Sequence, residues 1–550
     1  MSLSQNLNQF KWHWDIPKFF NIGEACSDLV CADGKKEHIA MIVEDDIKGT
    51  SSISFKELSY QSNQFAEIIK KLRLKKQSRI LIRLPNCLHY PICFLGAMKA
   101  GCISVPTSTL LTPKEIIYLA NDSSADSIVT DLSTWKLLQP MIDEFKYLKN
   151  VYISGEFEEF EEFEEFESRI QILWLDKELK KINSFTANNK TLADDPAYLV
   201  YTSGTTGYPK GVLHAHRALL GRGPASKFWF NFVNLDDRIV HTGKFNWTYV
   251  LGSGLMDPLY LGKTVIVHEG INDANGWIDL IQKHRATIFI GVPTIYRQIL
   301  KKTKASNENV ETLRHCMSAG EHLSDEIFNG WFERFKLNIY EAVGMSEFSY
   351  YISQSVKLPI KPGSAGFPQP GHNIKLLNAD TLKEVDSGEE GMICIPDDDP
   401  GLFIKYWNME DETAKHKHDN WFFTGDFARY DKEGYLWFLG RKDDIIKSFG
   451  YRVSPYEIER VFKSHQFIEN CVALGEKQED GKVLIVIYII LNELGCLHPN
   501  QFVEYGRKNL AIYKAPKIAY IANDFPKTKN GKILRKQISR DMILEKSDIR

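Results

Sequence analysis

Twice along this 550-residue chain, short β-rich runs alternate with segments of helical spacing. The first series reads as strand at 79–84, helix at 91–99, strand at 102–106, helix at 113–120 and strand at 127–130. The second reads as strand at 263–267, helix at 277–284 and strand at 286–290. Such alternation predicts parallel βαβ units and doubly wound α/β sheets. Ligands of these sheets sit beyond the carboxyl ends of strands. Residues 197–200 (Ala-Tyr-Leu-Val) read as one more buried strand, ending abruptly in Tyr201-Thr202-Ser203-Gly204-Thr205-Thr206-Gly207-Tyr208-Pro209-Lys210-Gly211-Val212. Glycines let successive N–H groups turn inward as an anion nest, hydroxyls add donors, and Lys210 adds charge suited to a polyphosphate. A solvated turn between strand and helix is the plain alternative. The spacing is not that of a Walker A loop, which requires four residues between its first glycine and Gly-Lys-Ser/Thr.

The length allows three or four lobes at roughly 150 residues each. Hydrophobic residues make up 43%, enough for sizeable cores, and the formal charge of −3 creates no field toward nucleic acid or anionic lipid. Nine cysteines lack any CxxC pair or zinc spacing and read as reduced thiols of a cytoplasmic protein. The start, Met1-Ser2-Leu3-Ser4-Gln5-Asn6, has no basic end or apolar core of a leader, and the longest apolar run, 483–491, is a buried strand rather than a membrane span. A phenylalanine at every third position from 157 to 166, set among glutamates, reads as an exposed acidic insertion without chemistry.

Further constellations follow in order. Tyr340-Glu341-Ala342-Val343-Gly344-Met345-Ser346-Glu347 comes after a strand expected at 336–339 and sets a hydroxyl beside a carboxylate. Alone, such a pair is usually a helix cap; beside phosphates, a carboxylate suits Mg²⁺. Ser318-Ala319-Gly320-Glu321-His322 is an ordinary strand-to-helix turn unless a flat ligand lies against Gly320. Asp426, after Thr424-Gly425, could accept two ribose hydroxyls, with the Arg441 fork beside it. A turn aspartate and a surface arginine are the plain readings. Last stands the basic turn Pro526-Lys527-Thr528-Lys529-Asn530-Gly531-Lys532.

Ser203 to Gly211 resembles the phosphate-binding signature of the AMP-forming adenylating enzymes, which include acyl-CoA synthetases, adenylation domains of nonribosomal peptide synthetases and firefly luciferase. The other motifs stand in that superfamily's order across 201–535. The resemblance implies a large multi-lobed N-terminal domain, 1–442, holding the ATP and acyl sites, and a small mobile α+β domain, 443–550, hinged at Asp443. It implies ATP, Mg²⁺ and coenzyme A as cofactors. Thr202, Ser203, Gly204, Thr206, Gly207 and Lys210 would cradle phosphate, with Thr205 and Lys532 catalytic and Glu347 both catalytic and the metal ligand. Gly320, Glu321 and the run Glu341 to Ser346 would surround the nucleotide, with Asp426 and Arg441 on ribose and Arg452 meeting phosphate. Lys447, Ser448, Phe449 and Gly450 would line a thiol tunnel. Val343 departs from the family, which usually has an aromatic ring there to stack on adenine.

For the acyl group, Lys244 to Leu255 and Arg314 to Glu321 resemble benzoate-CoA and related aryl-CoA ligases. Phe245, Trp247 and Tyr249, spaced two apart, would share one face if extended, with Ala319 and Gly252 completing the pocket. Core packing is the plain reading of such aromatics. The expected reaction joins a small apolar acid, aryl before short- or medium-chain fatty acid, to CoA. A stand-alone loader of a carrier protein and an inactive nucleotide-binding protein are the alternatives. Neither nucleic acid nor a membrane is an expected partner, and a monomer or homodimer is.

Overall fold

A computed structural model describes residues 11–155, 169–186, 188–202, 209–270, 273–321, 323–441, 444, 446–448, 451–478, 483–493, 495, 498–512, 514–527 and 533–547. The acidic insertion at 156–166 lies outside them. Strand residues face alternate sides, and that alternation builds the layers. In Thr264–Glu269, Val265 and Val267 enter one core and Ile266 another. In Arg79–Arg83, Ile80 and Ile82 enter the same shared core while Leu81 is buried in a separate core on the opposite face. The shared core holds the helices Phe55–Lys71 and His89–Lys99 between two sheets. Ala274–Lys283, Pro293–Lys302 and Asp325–Phe335 cover the far face of one sheet; Pro113–Asp122 and Leu132–Leu138 cover the far face of the other.

Among the described residues the two sheets have nine and eight strands. Both have the expected parallel interior; the nine-stranded sheet has antiparallel pairs at both edges and the eight-stranded one at a single edge, its other edge strand Gln171–Trp174 being parallel. One such edge matters most. Pro196–Thr202 pairs antiparallel with Lys210–Ala215, so the glycine-rich loop joins strand to strand, not strand to helix. A five-stranded sheet built on Gly391–Pro396, Trp421–Tyr430 and Leu436–Arg441 adds a further lobe.

The C-terminal region has its own core. Ile468–Lys477, Val483–Leu491, Ile518–Ala522 and Ile543–Lys546 form a four-stranded sheet, packed by Ile458 and Phe462 of Pro455–Lys463 and Phe502 of Pro499–Asn509. The apolar run 483–491 is the expected buried strand. No helix among the described residues is long and apolar enough to cross a membrane. The eight described cysteines are all free, most of them buried.

One expected strand is displaced. Lys336 does not start a strand; it closes the helix Asp325–Phe335 in the left-handed region at φ 57°. The strand begins at Ile339 and runs to Met345. The helix must first be terminated, and a left-handed residue does that.

Among the described residues, four histidines are buried without a charge partner strong enough to hold a proton. Burial lowers His214, His216 and His241 to about 3 and His315 to about 4. Between pH 6.5 and 4 the unfolded chain therefore binds protons that the folded chain refuses, so stability falls as pH falls through that window. Asp257, raised to about 6 by burial against the pull of Arg222, acts in the opposite sense. Each histidine contributes on the order of 1 kcal/mol between pH 7.5 and 5.5. Urea unfolding at those two pH values should differ by roughly 3–5 kcal/mol, less stable at pH 5.5. Equal stability at both would mean that these rings are protonated in the fold.

Candidate active site

In the hairpin of Pro196–Thr202 and Lys210–Ala215, Thr202 stands opposite Lys210. The loop residues Ser203, Gly204, Thr205, Thr206 and Gly207 lie outside the described residues. At the hairpin mouth the Lys210 ammonium pairs with Glu412 and lies 5.6 Å from the centre of the Tyr406 ring. The Tyr406 hydroxyl donates to Glu347 Oε1 at 2.7 Å. Burial, and then the charge of Glu347, pushes this phenol well above its ordinary range, so it remains a donor.

Ser346 and Glu347 form the turn after Ile339–Met345. The Ser346 hydroxyl accepts from Thr248 at 3.3 Å, and its carbonyl accepts from His214 Nε2 at 2.8 Å. A carbonyl partner requires the proton on Nε2, and the lowered pKa keeps the ring neutral. His214 also stacks on Tyr198, 4.6 Å between centroids and 11° from parallel. The Glu347 carbonyl accepts from the Phe403 amide at 2.9 Å. Gly344 lies inside the strand at a bulge, where a Cβ would fall 1.9 Å from the Ser349 carbonyl. Its bareness serves the hairpin. Val343 packs with Met345 against the core around Phe348 and Tyr351.

Asp426 and Arg441 face each other across neighbouring strands, Nε to Oδ1 3.2 Å, with Asp426 buried and Arg441 partly open. Asp426 raises the guanidinium pKa; burial opposes this, and Glu347 adds to the rise. The three groups therefore share one electrostatic neighbourhood, although 79 and 15 residues separate them in turn (426 − 347 and 441 − 426). Glu341 is turned inward, where its carboxylate accepts from the Leu323 amide at 3.1 Å. Glu321 accepts from the Thr294 hydroxyl at 3.1 Å.

The aromatic trio does not share a face. The backbone does not stay extended: Trp247 precedes the helix Thr248–Leu251, which carries Tyr249. Phe245 turns into the large core, 5.0 Å from Tyr90, and its amide is held by Asn86 Oδ1. Trp247 and Tyr249 meet edge to face at 5.3 Å, and Trp247 alone lies over Gly320. Ala319 and Ala342 pack beside Tyr249, Trp229 and Tyr350. Gly252 leaves room for the Tyr350 hydroxyl, 3.0 Å from where its Cβ would stand.

On the C-terminal side, Lys447 and Arg452 are opposite each other in the hairpin Ile446–Ser448 with Tyr451–Val453. The Ser448 hydroxyl donates to the Val483 carbonyl at 2.7 Å. Asp443, Phe449, Gly450 and Lys532 lie outside the described residues. Sequence reasoning missed Tyr406, Glu412 and His214. Their partners are fixed by packing; only His214 carried a signal, alternating inward with Val212 along a strand beside the loop.

Known proteins resemble this chain over most of its length. A family profile described as AMP-binding enzyme matches residues 30–407, and one described as AMP-binding enzyme C-terminal domain matches 457–532. A 3-hydroxybenzoate–CoA ligase from Aromatoleum sp. (strain CIB) is 29% identical over 490 residues, covering 88% of this chain and 91% of that protein. The mitochondrial acyl-coenzyme A synthetase ACSM3 of Rattus norvegicus is 28% identical over 501 residues, covering 88% and 84%. A crystal structure of the anthranilate CoA ligase AuaEII with anthranoyl-AMP superposes with a TM-score of 0.84 at 25% identity, covering 97% of this chain and 98% of that one.

Gly320 combines φ +93° with an indole 3.0 Å from its absent Cβ. Gly320→Ala should therefore cost about 1–2 kcal/mol in urea unfolding for the left-handed backbone alone. It should also shift the tryptophan emission as Trp247 is displaced. A cost under about 0.5 kcal/mol with unchanged emission would show that the turn relaxes freely.

Proposed function

This chain belongs to the AMP-binding enzyme family, and from that premise we propose that it is an ATP-dependent, AMP-forming acid–CoA ligase acting on small aromatic acids. The observation that carries the reading is the convergence of Lys210, Glu347, Asp426 and Arg441, linked to the indole at Gly320 through Thr248, which follows Trp247 and donates to Ser346. In the first half-reaction a substrate carboxylate oxygen attacks the α-phosphorus of ATP and pyrophosphate leaves. In the second, the CoA thiol attacks the acyl carbon, its proton passes to solvent and AMP leaves.

Bringing two anions together is mainly a problem of charge and alignment. Asp426 accepts the ribose hydroxyls and Arg441 orients it. Ser346 meets the α-phosphate, while Thr205 and its glycine neighbours hold the phosphates. Among the described residues no group of three or more acidic, histidine or cysteine side chains is arranged to hold a metal ion. One carboxylate at Glu347, partly committed to Tyr406, suits Mg²⁺, which keeps its waters and binds phosphate oxygens more than protein cages. When bound there, the ion neutralises phosphate charge. Lys532 serves the first step and the 447–452 segment the second, exchanged by rotation at Asp443 between domains 1–442 and 443–550. The same reading has the protein acting in the cytoplasm as a monomer or homodimer.

The aromatic preference is supported by the Trp247–Tyr249 wall and by the relatives that act on hydroxybenzoate and anthranilate. Residues 245–255 carry no charge, and burying an unpaired second charge would cost several kcal/mol. Dicarboxylates and amino acids are thus poor substrates. The likeness to an acyl-coenzyme A synthetase supports short- or medium-chain fatty acids as the second reading. Screening aryl, short- and medium-chain acids for CoA-dependent AMP release tests both; release with carrier protein but not CoA would favour the loader.

Trp247→Ala should reorder the acids, by about 1–3 kcal/mol between neighbours in the ranking, rather than lower all turnover equally. A dicarboxylate or zwitterion as best substrate by kcat/KM would place the pocket elsewhere. Lys532→Ala should abolish acyl-adenylate formation yet spare thioester formation from pre-made acyl-AMP, and equal losses in both would remove its step-specific role. Tyr406→Phe frees one Glu347 oxygen and should weaken ATP affinity about three- to tenfold, the net worth of one ordinary hydrogen bond. Unchanged affinity would show that Glu347 needs no orienting partner.

A further inference from the structure

The helix Pro455–Lys463 carries Arg460 of the small domain into a notch on the large one. Its NH2 donates to Asp325 Oδ2 at 2.6 Å and to the Pro362 carbonyl at 3.5 Å. The guanidinium carbon lies 5.5 Å from the centre of the Trp437 ring. The floor of the notch is Gly363, at φ +80°, where a Cβ would fall 2.4 Å from the guanidinium. Three separate stretches of the large domain thus shape one arginine-sized seat. The planar fork suits it, because it can bond in its plane and stack on its face.

One helical turn earlier, Glu457 Oε1 lies 3.4 Å from Arg429 NH2 of the large domain, and its other oxygen accepts from Lys514 of its own domain at 2.5 Å. Residues 457 and 460 are three apart and so lie on one face. Tyr456 packs over Gly440, 3.0 Å from where a Cβ would stand. One side of one helix therefore makes a set of side-chain contacts across the domain boundary.

We infer that Arg460 is a positioning residue: its notch holds the small domain in the orientation seen here, and leaving the notch is part of the exchange between the two half-reactions. The inference rests on the two-step ligase reading. Arg460 and Asp325 are 31% and 42% exposed. An ion pair so exposed, together with the Trp437 ring beside the guanidinium, biases an equilibrium by about threefold to tenfold rather than locking it. A contact broken in every turnover has to be of that size, since a stronger one would hold one state permanently.

Two measurements on the full-length protein test it. The first is small-angle X-ray scattering without ligands, on wild type, Arg460→Ala, Arg460→Lys, Gly363→Ala and the charge-exchanged pair Asp325→Arg with Arg460→Asp. The Arg460→Ala and Gly363→Ala profiles should depart from wild type, with the lysine and exchanged variants between. The second compares pyrophosphate release from benzoate and ATP with thioester formation from pre-made benzoyl-AMP and CoA. The ratio of the two rates should shift about three- to tenfold in Arg460→Ala and return part of the way in Arg460→Lys. Scattering identical to wild type in every variant overturns the inference, as does an equal change in both half-reactions. If wild type forms no thioester from any acid, the ligase reading fails instead, and the scattering still decides whether the notch sets the orientation. Should Arg460→Ala fail to fold, the lysine and exchanged variants carry both readouts.

Discussion

The helix His89–Lys99 is buried from Tyr90 to Lys99, and a helix buried all round is stable only when wrapped on every side. That requirement puts a sheet on each side of it. Gly96 lets the neighbouring helix close in, since a Cβ there would fall 2.6 Å from the Ser62 carbonyl. The one charge on the helix, Lys99, is fully buried and donates to Asp28 and to Ser62, both at 2.8 Å. An unpaired ammonium there would be prohibitive. With both sheets pressed on one helical layer, the loops of each reach the other. His214 of one sheet bonds Ser346 at the end of a strand in the other.

That bridging decides the electrostatics of the cleft. Glu347 is held by Tyr406, which lies beside the strand Lys210–Ala215 in the eight-stranded sheet, while its own strand belongs to the nine-stranded one. Arg441 arrives from a third sheet with Asp426 already attached. Groups fixed by backbone pairing and buried hydrogen bonds lose little freedom when a charged ligand arrives, which is how preorganised sites act on developing charge. The small domain is attached differently. Apart from a buried hydrogen bond from the Ser454 hydroxyl to the Leu439 carbonyl, the contacts of its helix Pro455–Lys463 with the large domain are, among the described residues, partly exposed ion pairs and aromatic rings. They can break and re-form at modest cost.

Much of this organisation was legible from residue order. Alternating strand and helix periods located both parallel sheets, because period 2 and period 3.6 are local properties of burial. Asp426 and Arg441 were legible as a pair through the spacing of a known motif, and the structure adds that they are cross-strand neighbours. The aromatic trio was misplaced. A spacing of two puts residues on one face only in an extended segment, and the helix beginning at Thr248 broke that premise.

The sequence by itself determined the family and the two parallel sheets, and singled out the residues expected to meet phosphate, ribose and acid. Those depend on periodicity and on motifs that are short-range along the chain. Only the tertiary structure decided that the glycine-rich loop spans an antiparallel hairpin, that Tyr406 holds Glu347, that Trp247 alone covers Gly320, and that Arg460 finds a seat on Gly363. All but the hairpin are contacts between residues tens or more apart, set by how layers pack. Packing is decided by the shape of the whole core, which no local pattern encodes.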